Sequence, residues 1–106
     1  MKGITYTKDD ITRRTAQDLN IPVKHTKFVI EGLFSTMTKM ITEPKSHIRI
    51  ELRDFGVFEL KPTKAKPRAR NPKTNEEYFI PPRRKIHFKP GKGIRQIIQK
   101  KWLEKI

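Results

Sequence analysis

The chain has 106 residues, no cysteine and a formal net charge of +14, which predicts a polyanionic partner such as nucleic acid. Its length supports one small domain, and the lack of cysteine excludes disulfides and thiolate catalysis. No run approaches the roughly 20 apolar residues of a membrane span, and the first residues lack a signal peptide's apolar run, so a cytoplasmic protein is expected.

The first predicted helix begins after Thr7 and ends near Leu19. Thr7 can accept hydrogen bonds from the first turn, and Asp9 and Asp10 lie where the helix dipole favours negative charge. Asn20-Ile21-Pro22 then interrupts the apolar periodicity, so a short connection is expected before the next helix.

A second, longer helix is predicted from about Pro22, which suits a first turn, to about Thr42, where Glu43-Pro44 stops it. Its apolar residues cover an arc of roughly 140°, which is wider than packing on one neighbour requires. We therefore expect this helix to lie between its own domain and a second subunit, with Gly32 allowing close approach. A core helix of a monomer is the alternative. The arc contains Val23, Val29, Ile30, Leu33, Phe34, Met37, Met40 and Ile41.

Three strands and a final helix are predicted in the second half of the chain. Residues 46–52 alternate apolar and charged side chains, which predicts a half-buried strand. Asp54-Phe55-Gly56 forms a turn, residues 57–60 return as a second strand, and residues 86–88 add a third. Lys89-Pro90-Gly91 then opens the final helix. Its apolar positions are Ile94, Ile97, Ile98, Trp102 and Leu103.

A basic, proline-rich segment, residues 61–85, predicts an extended two-stranded arm. Residues 61–89 carry ten basic side chains and two acidic ones, a net charge of +8. Four of the cations recur at every second position, so they share one face of an extended strand. These are Lys64, Lys66, Arg68 and Arg70.

The predicted arm turns at Arg70-Asn71-Pro72-Lys73-Thr74. A rigid proline near the tip of a cationic hairpin suits a nucleic-acid duplex, with the cations on phosphates and the proline against base pairs. The alternatives are a solvated basic loop and an ordinary turn proline.

Three motifs in this order and spacing resemble the bacterial HU/IHF histone-like DNA-bending proteins: Asp54-Phe55-Gly56-Val57-Phe58, Arg70-Asn71-Pro72-Lys73-Thr74 and Phe88-Lys89-Pro90-Gly91-Lys92. The resemblance covers about residues 7–100. It implies an α+β fold of the HU/IHF type, an intertwined dimer with a helical base, a β-saddle and two extended β-ribbon DNA-binding arms. Pro72 would be the intercalating wedge in the minor groove.

The resemblance implies that residues 1–106 form a single DNA-binding domain. Asn75 stands where most of the family has glycine, and asparagine is the next-best residue for a left-handed turn position. The extension at residues 100–106 could pack on the helical base, touch DNA or stabilise the dimer. The expected parts are residues 7–42 for dimerisation, 46–60 and 86–88 for the saddle, 61–85 for the arm, and 91–106 for the C-terminal helix and extension.

Two sets of site residues follow from the charge pattern and the resemblance. The expected DNA contacts are Arg53, Lys61, Lys64, Lys66, Arg68, Arg70, Asn71, Pro72, Lys73, Arg83, Arg84, Lys85, Lys89 and Lys92. The expected dimer interface contains Ile30, Leu33, Phe34, Met37, Met40, Ile41, Phe55 and Phe58, and both a homodimer and a heterodimer with a paralogue are open.

The function implied by the resemblance is that of a nucleoid-associated protein of the bacterial chromosome. Such a protein binds double-stranded DNA through the minor groove with little sequence specificity and bends it. One alternative is a sequence-preferring bender of the integration-host-factor type, and another, from a different class, is a structural RNA-binding protein.

An enzymatic function is not expected. His25, His47 and His87 are scattered without ligand spacing or a partner carboxylate, and the sequence lacks a nucleophile motif and a glycine-rich phosphate loop. We therefore expect no catalytic residue, metal, cofactor, small-molecule substrate or membrane partner.

Overall fold

The computed structural model describes residues 3–64 and 66–100, with the backbone alone for residues 66–69 and 78–80. The chain divides into two compact units, Met1–Glu43 and Pro44–Ile106. Within the described residues, no helix is both long and apolar enough to cross a membrane. The elements are α1 (Lys8–Leu19), α2 (Val23–Ile41), β1 (Ile48–Leu52), β2 (Gly56–Pro62), β3 (Lys66–Arg70), β4 (Glu77–Ile80), β5 (Arg84–Pro90) and α3 (Lys92–Gln99).

A capping box starts α1 at Thr7, the residue that the sequence predicts as its cap. The backbone N–H of Thr7 donates to Asp10 Oδ2 at 2.9 Å, and the Asp10 N–H donates to Thr7 Oγ1 at 3.3 Å. The carboxyl of Asp10 accepts hydrogen bonds from the Thr7 N–H, from the Thr7 hydroxyl at 2.9 Å and from Arg13, and these three bonds lower its pKa below its usual value. Asn20 then ends the helix in the left-handed conformation, at φ 53°.

The second helix begins one residue later than predicted, because Pro22 is its N-cap and Val23 its first helical residue. It ends at Ile41 with Thr42 as the C-cap, which confirms the predicted end. α1 and α2 pack against each other. The buried residues of the two helices are Thr12, Ala16, Thr26 and Ile30.

An antiparallel sheet of three strands, in the order β1-β2-β5, organises the second unit. β2 and β5 are longer than predicted, because their pairing continues to Pro62 and Arg84 at one end and to Gly56 and Pro90 at the other. The α+β architecture confirms the predicted fold class.

The final helix, α3, begins after Gly91, as predicted, and its last helical residue is Gln99. Lys100 is extended, at φ −63° and ψ 145°. Of the predicted apolar positions of this helix, Trp102 and Leu103 lie outside the described residues, as does the rest of the extension after Lys100.

Phe88 is the centre of a small aromatic cluster on one face of this sheet. Its ring centroid lies 4.8 Å from that of Phe58 and 5.6 Å from that of Phe55. A Cβ on Gly56 would come within 2.6 Å of the Lys89 carbonyl oxygen and of the Phe88 ring. The turn between β1 and β2 therefore requires a residue without a side chain at this position.

Few apolar side chains are buried within the chain itself. Among the residues whose side chains are described, the buried hydrophobic ones are Ala16, Ile30 and Leu60. On α2, Leu33 is 53% exposed and Phe34 is 40% exposed, although both are large and apolar. A folded chain that leaves such residues open to water has an incomplete core.

Strands β3 and β4 pair as a separate two-stranded antiparallel ribbon. Its register shifts between Lys66 and Ala69. Pro67 lies within β3, and Pro81 and Pro82 follow β4. A proline has no backbone N–H, so these positions cannot donate to a strand ladder.

Candidate nucleic-acid interface

The three-stranded sheet has one apolar and one charged face, because neighbouring residues in a strand point to opposite sides. The strand register places Arg49, Glu59 and His87 in one row across the sheet, and Ile50, Phe58 and Phe88 in the next. The charged face contains Arg49, Glu51, Val57, Glu59, Lys61, Lys85, His87 and Lys89.

Glu59 is the centre of an ion-pair cluster on the charged face. Its Oε1 lies 3.1 Å from Lys89 Nζ and 3.5 Å from Lys61 Nζ, and its Oε2 lies 3.4 Å from a terminal nitrogen of Arg49. The Glu59 side chain is 14% exposed, whereas its three partners are at least half exposed. One carboxylate thus holds three cations at the middle of the face.

The pKa of the Glu59 carboxyl is lowered, chiefly by Lys89, whose Nζ lies 3.1 Å from Oε1, and further by the charge of Lys61. Partial burial acts in the opposite direction, because it disfavours the charged form. The carboxyl is therefore ionised at neutral pH. A partner cation that moves from Glu59 to a phosphate would therefore exchange one anion for another.

The tip of the arm is a closed turn held by asparagines. Asn71 Oδ1 accepts from the Lys73 N–H at 2.9 Å, and the Asn71 carbonyl accepts from the Asn75 N–H at 2.7 Å. Asn75 adopts φ 60°, which confirms its predicted left-handed conformation. Pro72 is exposed within this turn.

Arg70 stabilises the turn at the tip through two side-chain hydrogen bonds. One terminal nitrogen of its guanidinium donates to Asn75 Oδ1 at 3.1 Å, and the other donates to Glu77 at 3.2 Å. The Arg70 side chain is nevertheless 61% exposed. Arg70 therefore supports the turn while much of its cationic surface stays in solvent.

The sequence-predicted DNA contacts fall into six places. Lys61, Lys85 and Lys89 lie on the charged face of the sheet. Arg70, Asn71, Pro72 and Lys73 lie at the tip. Lys64, Arg83 and Arg84 lie at the base of the arm, Arg53 in the turn before Gly56, and Lys92 at the start of α3. Lys66 and Arg68 lie on β3, and their side chains are outside the described set.

Arg84 points to the opposite face of the sheet from Lys61, Lys85 and Lys89. It is opposite Pro62, in register with the apolar face, and its guanidinium donates to the Lys45 carbonyl oxygen at 3.0 Å. Arg49 and His87 share the charged face but are absent from the predicted contacts. The strand alternation that points Arg49 outward was the signal that could have found it.

The sequence-predicted interface residues lie in both units. In the first, Ile30 is buried within the unit, Leu33, Phe34 and Met40 are exposed, and Met37 and Ile41 are half-buried. In the second, Phe55 is 50% exposed and Phe58 is half-buried, and both contact the Phe88 ring.

The fold and this surface define an α+β protein whose second unit presents a basic sheet face and a basic ribbon, the kind of surface that binds nucleic acids. The family model described as bacterial DNA-binding protein matches residues 6–99. The chain belongs to this family, which includes HU and integration host factor. Its members are not enzymes, which confirms that prediction.

Relatives of both types resemble the chain along most of its length. Integration host factor subunit alpha of Psychrobacter cryohalolentis is 31% identical over 92% of this chain and 94% of the relative. The probable DNA-binding protein HU of Chlamydia trachomatis is 34% identical over 90% and 92%. The cocrystal structure of Anabaena HU with DNA matches with a TM-score of 0.75 and 28% identity, over 91% of this chain and 100% of that one.

Proposed function

We propose that this protein binds double-stranded DNA through the minor groove as a dimer and bends it with little sequence specificity. In this role it would compact and shape the bacterial chromosome in the cytoplasm, as part of the nucleoid. The whole chain would act as one domain, with residues 7–42 for dimerisation and 61–85 as the arm.

The observation that carries the proposal is the display of Pro72. The Asn71 and Asn75 hydrogen bonds close the turn, and Arg70 braces it, so an exposed and rigid apolar ring stands at the end of a cationic ribbon. A cationic ribbon with an exposed proline does not contribute to packing of a protein core. An apolar wedge inserted at a base step separates the bases and kinks the duplex.

Capture by the charged surface would precede the kink. The cations of the arm and the sheet face would neutralise phosphates and release counterions, which gives affinity without base recognition. Separation of one base step costs on the order of a few kcal/mol, and the bend would repay it by bringing flanking DNA onto the basic body. Flexible, nicked or already bent DNA should therefore be preferred.

Replacing Pro72 with alanine tests the wedge, because it removes the ring and leaves every positive charge in place. Bending is expected to fall strongly while affinity falls only modestly, since alanine has too little surface to hold a base step apart. Fluorescence energy transfer between dyes at the two ends of a bound duplex measures the bend.

Pro44→Ala is the matched control, because Pro44 is also exposed but lies before β1. It should bend DNA like the wild-type protein. Limited proteolysis of each free variant shows whether the tip is still closed. If Pro72→Ala bends DNA as well as the wild type and its arm is equally protected, Pro72 is an ordinary turn residue and the wedge mechanism is wrong.

Glu59 provides a second test, because it competes with phosphates for Arg49, Lys61 and Lys89. Glu59→Gln is expected to raise affinity for DNA by on the order of 5-fold at 0.15 M salt for each cation freed for a phosphate. The slope of log affinity against log salt should steepen by up to about 0.9 for each such cation. Titrations at several salt concentrations measure both quantities.

Glu51→Gln is the control for this change. Glu51 lies on the same face, but among the described residues it pairs with Arg49 only, at 3.2 Å, and its side chain is 68% exposed. Removal of its charge should therefore have a smaller effect. A lower affinity of Glu59→Gln would mean that Glu59 holds the three cations in the arrangement that DNA needs, instead of competing for them.

A sequence-preferring bender is the second candidate function, because relatives named integration host factor subunit alpha match along 94% of their own length. Competition between random DNA and candidate-site DNA separates the two modes. A specificity ratio above about 10³ would favour the sequence-preferring mode. Duplex RNA belongs in the same assay, since tighter binding to A-form RNA would overturn the minor-groove proposal.

A further inference from the structure

The base of the arm lies between two strand ladders. The three-stranded sheet ends at the pair Pro62 and Arg84, and the ribbon begins at the pair Lys66 and Ile80. Backbone donors are scarce in this gap, because a proline has no N–H. The prolines at or next to the gap are Pro62, Pro81 and Pro82.

Thr63 joins the two strands across the gap with three hydrogen bonds to Arg83. The Thr63 N–H donates to the Arg83 carbonyl oxygen at 2.6 Å. Thr63 Oγ1 accepts from the Arg83 N–H at 2.9 Å and lies 3.1 Å from the Arg83 carbonyl oxygen, to which it donates. The hydroxyl thus takes the place of a backbone carbonyl in the ladder.

We propose that Thr63 is a positioning residue whose hydroxyl closes the base of the arm and fixes the direction in which the arm leaves the sheet. This inference rests on the proposed DNA-bending function. The pair of Thr63 and Arg83 is called the clasp below. Its role is to aim the distant tip, because a small rotation at the base moves Pro72 a long way.

The surroundings of the clasp support a positioning role. The next residue, Arg84, is tied to the Lys45 carbonyl oxygen at 3.0 Å, so the returning strand is anchored to the segment before β1. The clasp uses only backbone atoms of Arg83 and does not consume its guanidinium. The Arg83 guanidinium therefore stays available for a phosphate at the base of the arm.

Thr63→Val and Thr63→Ser separate the hydroxyl from the shape of the side chain. Valine keeps the branched shape and loses both hydroxyl bonds, whereas serine keeps the hydroxyl. Amide hydrogen exchange of the free protein is measured at Arg83 and at position 63. With valine, the Arg83 amide should exchange about 2- to 10-fold faster, the range that loss of one hydrogen bond gives. Serine should restore the wild-type rate.

DNA affinity and the bend are then measured for the same proteins. Thr63→Val is expected to bind about 2- to 10-fold more weakly and to broaden the distribution of end-to-end energy transfer. The salt slope should not change, because no charge is removed. A purely structural loss of the sheet would instead appear in circular dichroism of the free protein.

Three results would overturn the inference. Unchanged exchange at Arg83 would mean that the hydroxyl does not hold the clasp. Faster exchange with unchanged affinity and bending would remove its role toward DNA. Failure of serine to restore exchange would mean that the hydroxyl alone does not hold the clasp, because serine keeps the hydroxyl and lacks only the methyl group. If the wild-type protein does not bend DNA, the proposed function fails, and exchange in the free protein still decides whether the clasp exists.

Discussion

Sedimentation at micromolar concentration is expected to show a species of about twice 12.6 kDa. Few of the described apolar side chains are buried, and Leu33 and Phe34 of α2 are 53% and 40% exposed. A second subunit would cover this surface, and its burial would supply stability that the single chain lacks. A folded and stable monomer at that concentration would contradict the proposed dimer.

Phe34→Asp is expected to abolish both the dimer and the cooperative fold. A charge at a buried apolar contact costs more than the roughly 3 kcal/mol lost when a buried phenylalanine is truncated. Thermal melting followed by circular dichroism, together with sedimentation, measures the loss.

Phe28→Asp is the matched control for that experiment, because it is the same chemical change on the same helix. Phe28 is 81% exposed and lies outside the predicted apolar arc of α2. This variant should remain a dimer and melt near the wild-type temperature. If the two substitutions reduce the melting temperature and the dimer fraction equally, α2 tolerates aspartate at neither position. The apolar arc would then not be the dimer interface.

Replacing Lys64, Lys66 and Arg68 together with alanine is expected to weaken binding to all DNA sequences on the order of 100-fold at 0.15 M salt. The salt slope should become shallower by up to about 2.7, which is about 0.9 for each lost phosphate contact. Arg70 is left intact, because it braces the turn through Asn75 and Glu77.

The control removes three positive charges from α2, where Lys24, Lys27 and Lys39 are exposed. Its net charge equals that of the arm variant. Any difference in DNA affinity between the two variants therefore depends on where the charges lie and not on their number. The control should lose little affinity, and both variants should stay folded. Equal losses would mean that net charge, and not the arm, drives binding.

The elements of the fold could be predicted where the deciding residues are neighbours in sequence. Thr7 and Asp10 predict the start of α1, and Asn75 predicts the left-handed residue of the tip, because capping and turn conformation are local. The full lengths of β2 and β5 were not predicted, because they depend on pairing between residues that are distant in sequence. Lys61 and Pro62 have the composition of an arm, and only pairing with β5 makes them part of the sheet.

In the candidate site, too, the features that depend on neighbouring residues could be predicted and those that depend on strand pairing could not. The basic stripe and Pro72 are visible in the sequence, whereas the Glu59 cluster depends on the register that places Arg49 and Lys89 beside Glu59. The bonds between Thr63 and Arg83 join residues 20 positions apart, and nothing local to either residue indicates them. Contacts of this kind need the strand alignment, which one sequence does not provide.

The prolines of the arm have a consequence for the protein before it meets DNA. A two-stranded ribbon leaves a row of unpaired backbone groups along each outer edge, and such rows can recruit strands from other molecules and begin aggregation. Pro67 interrupts the row on β3, and Pro81 and Pro82 end the row after β4. The net charge of +8 over residues 61–89 adds repulsion between arms. The prolines and the charge thus both oppose pairing between the arms of different molecules.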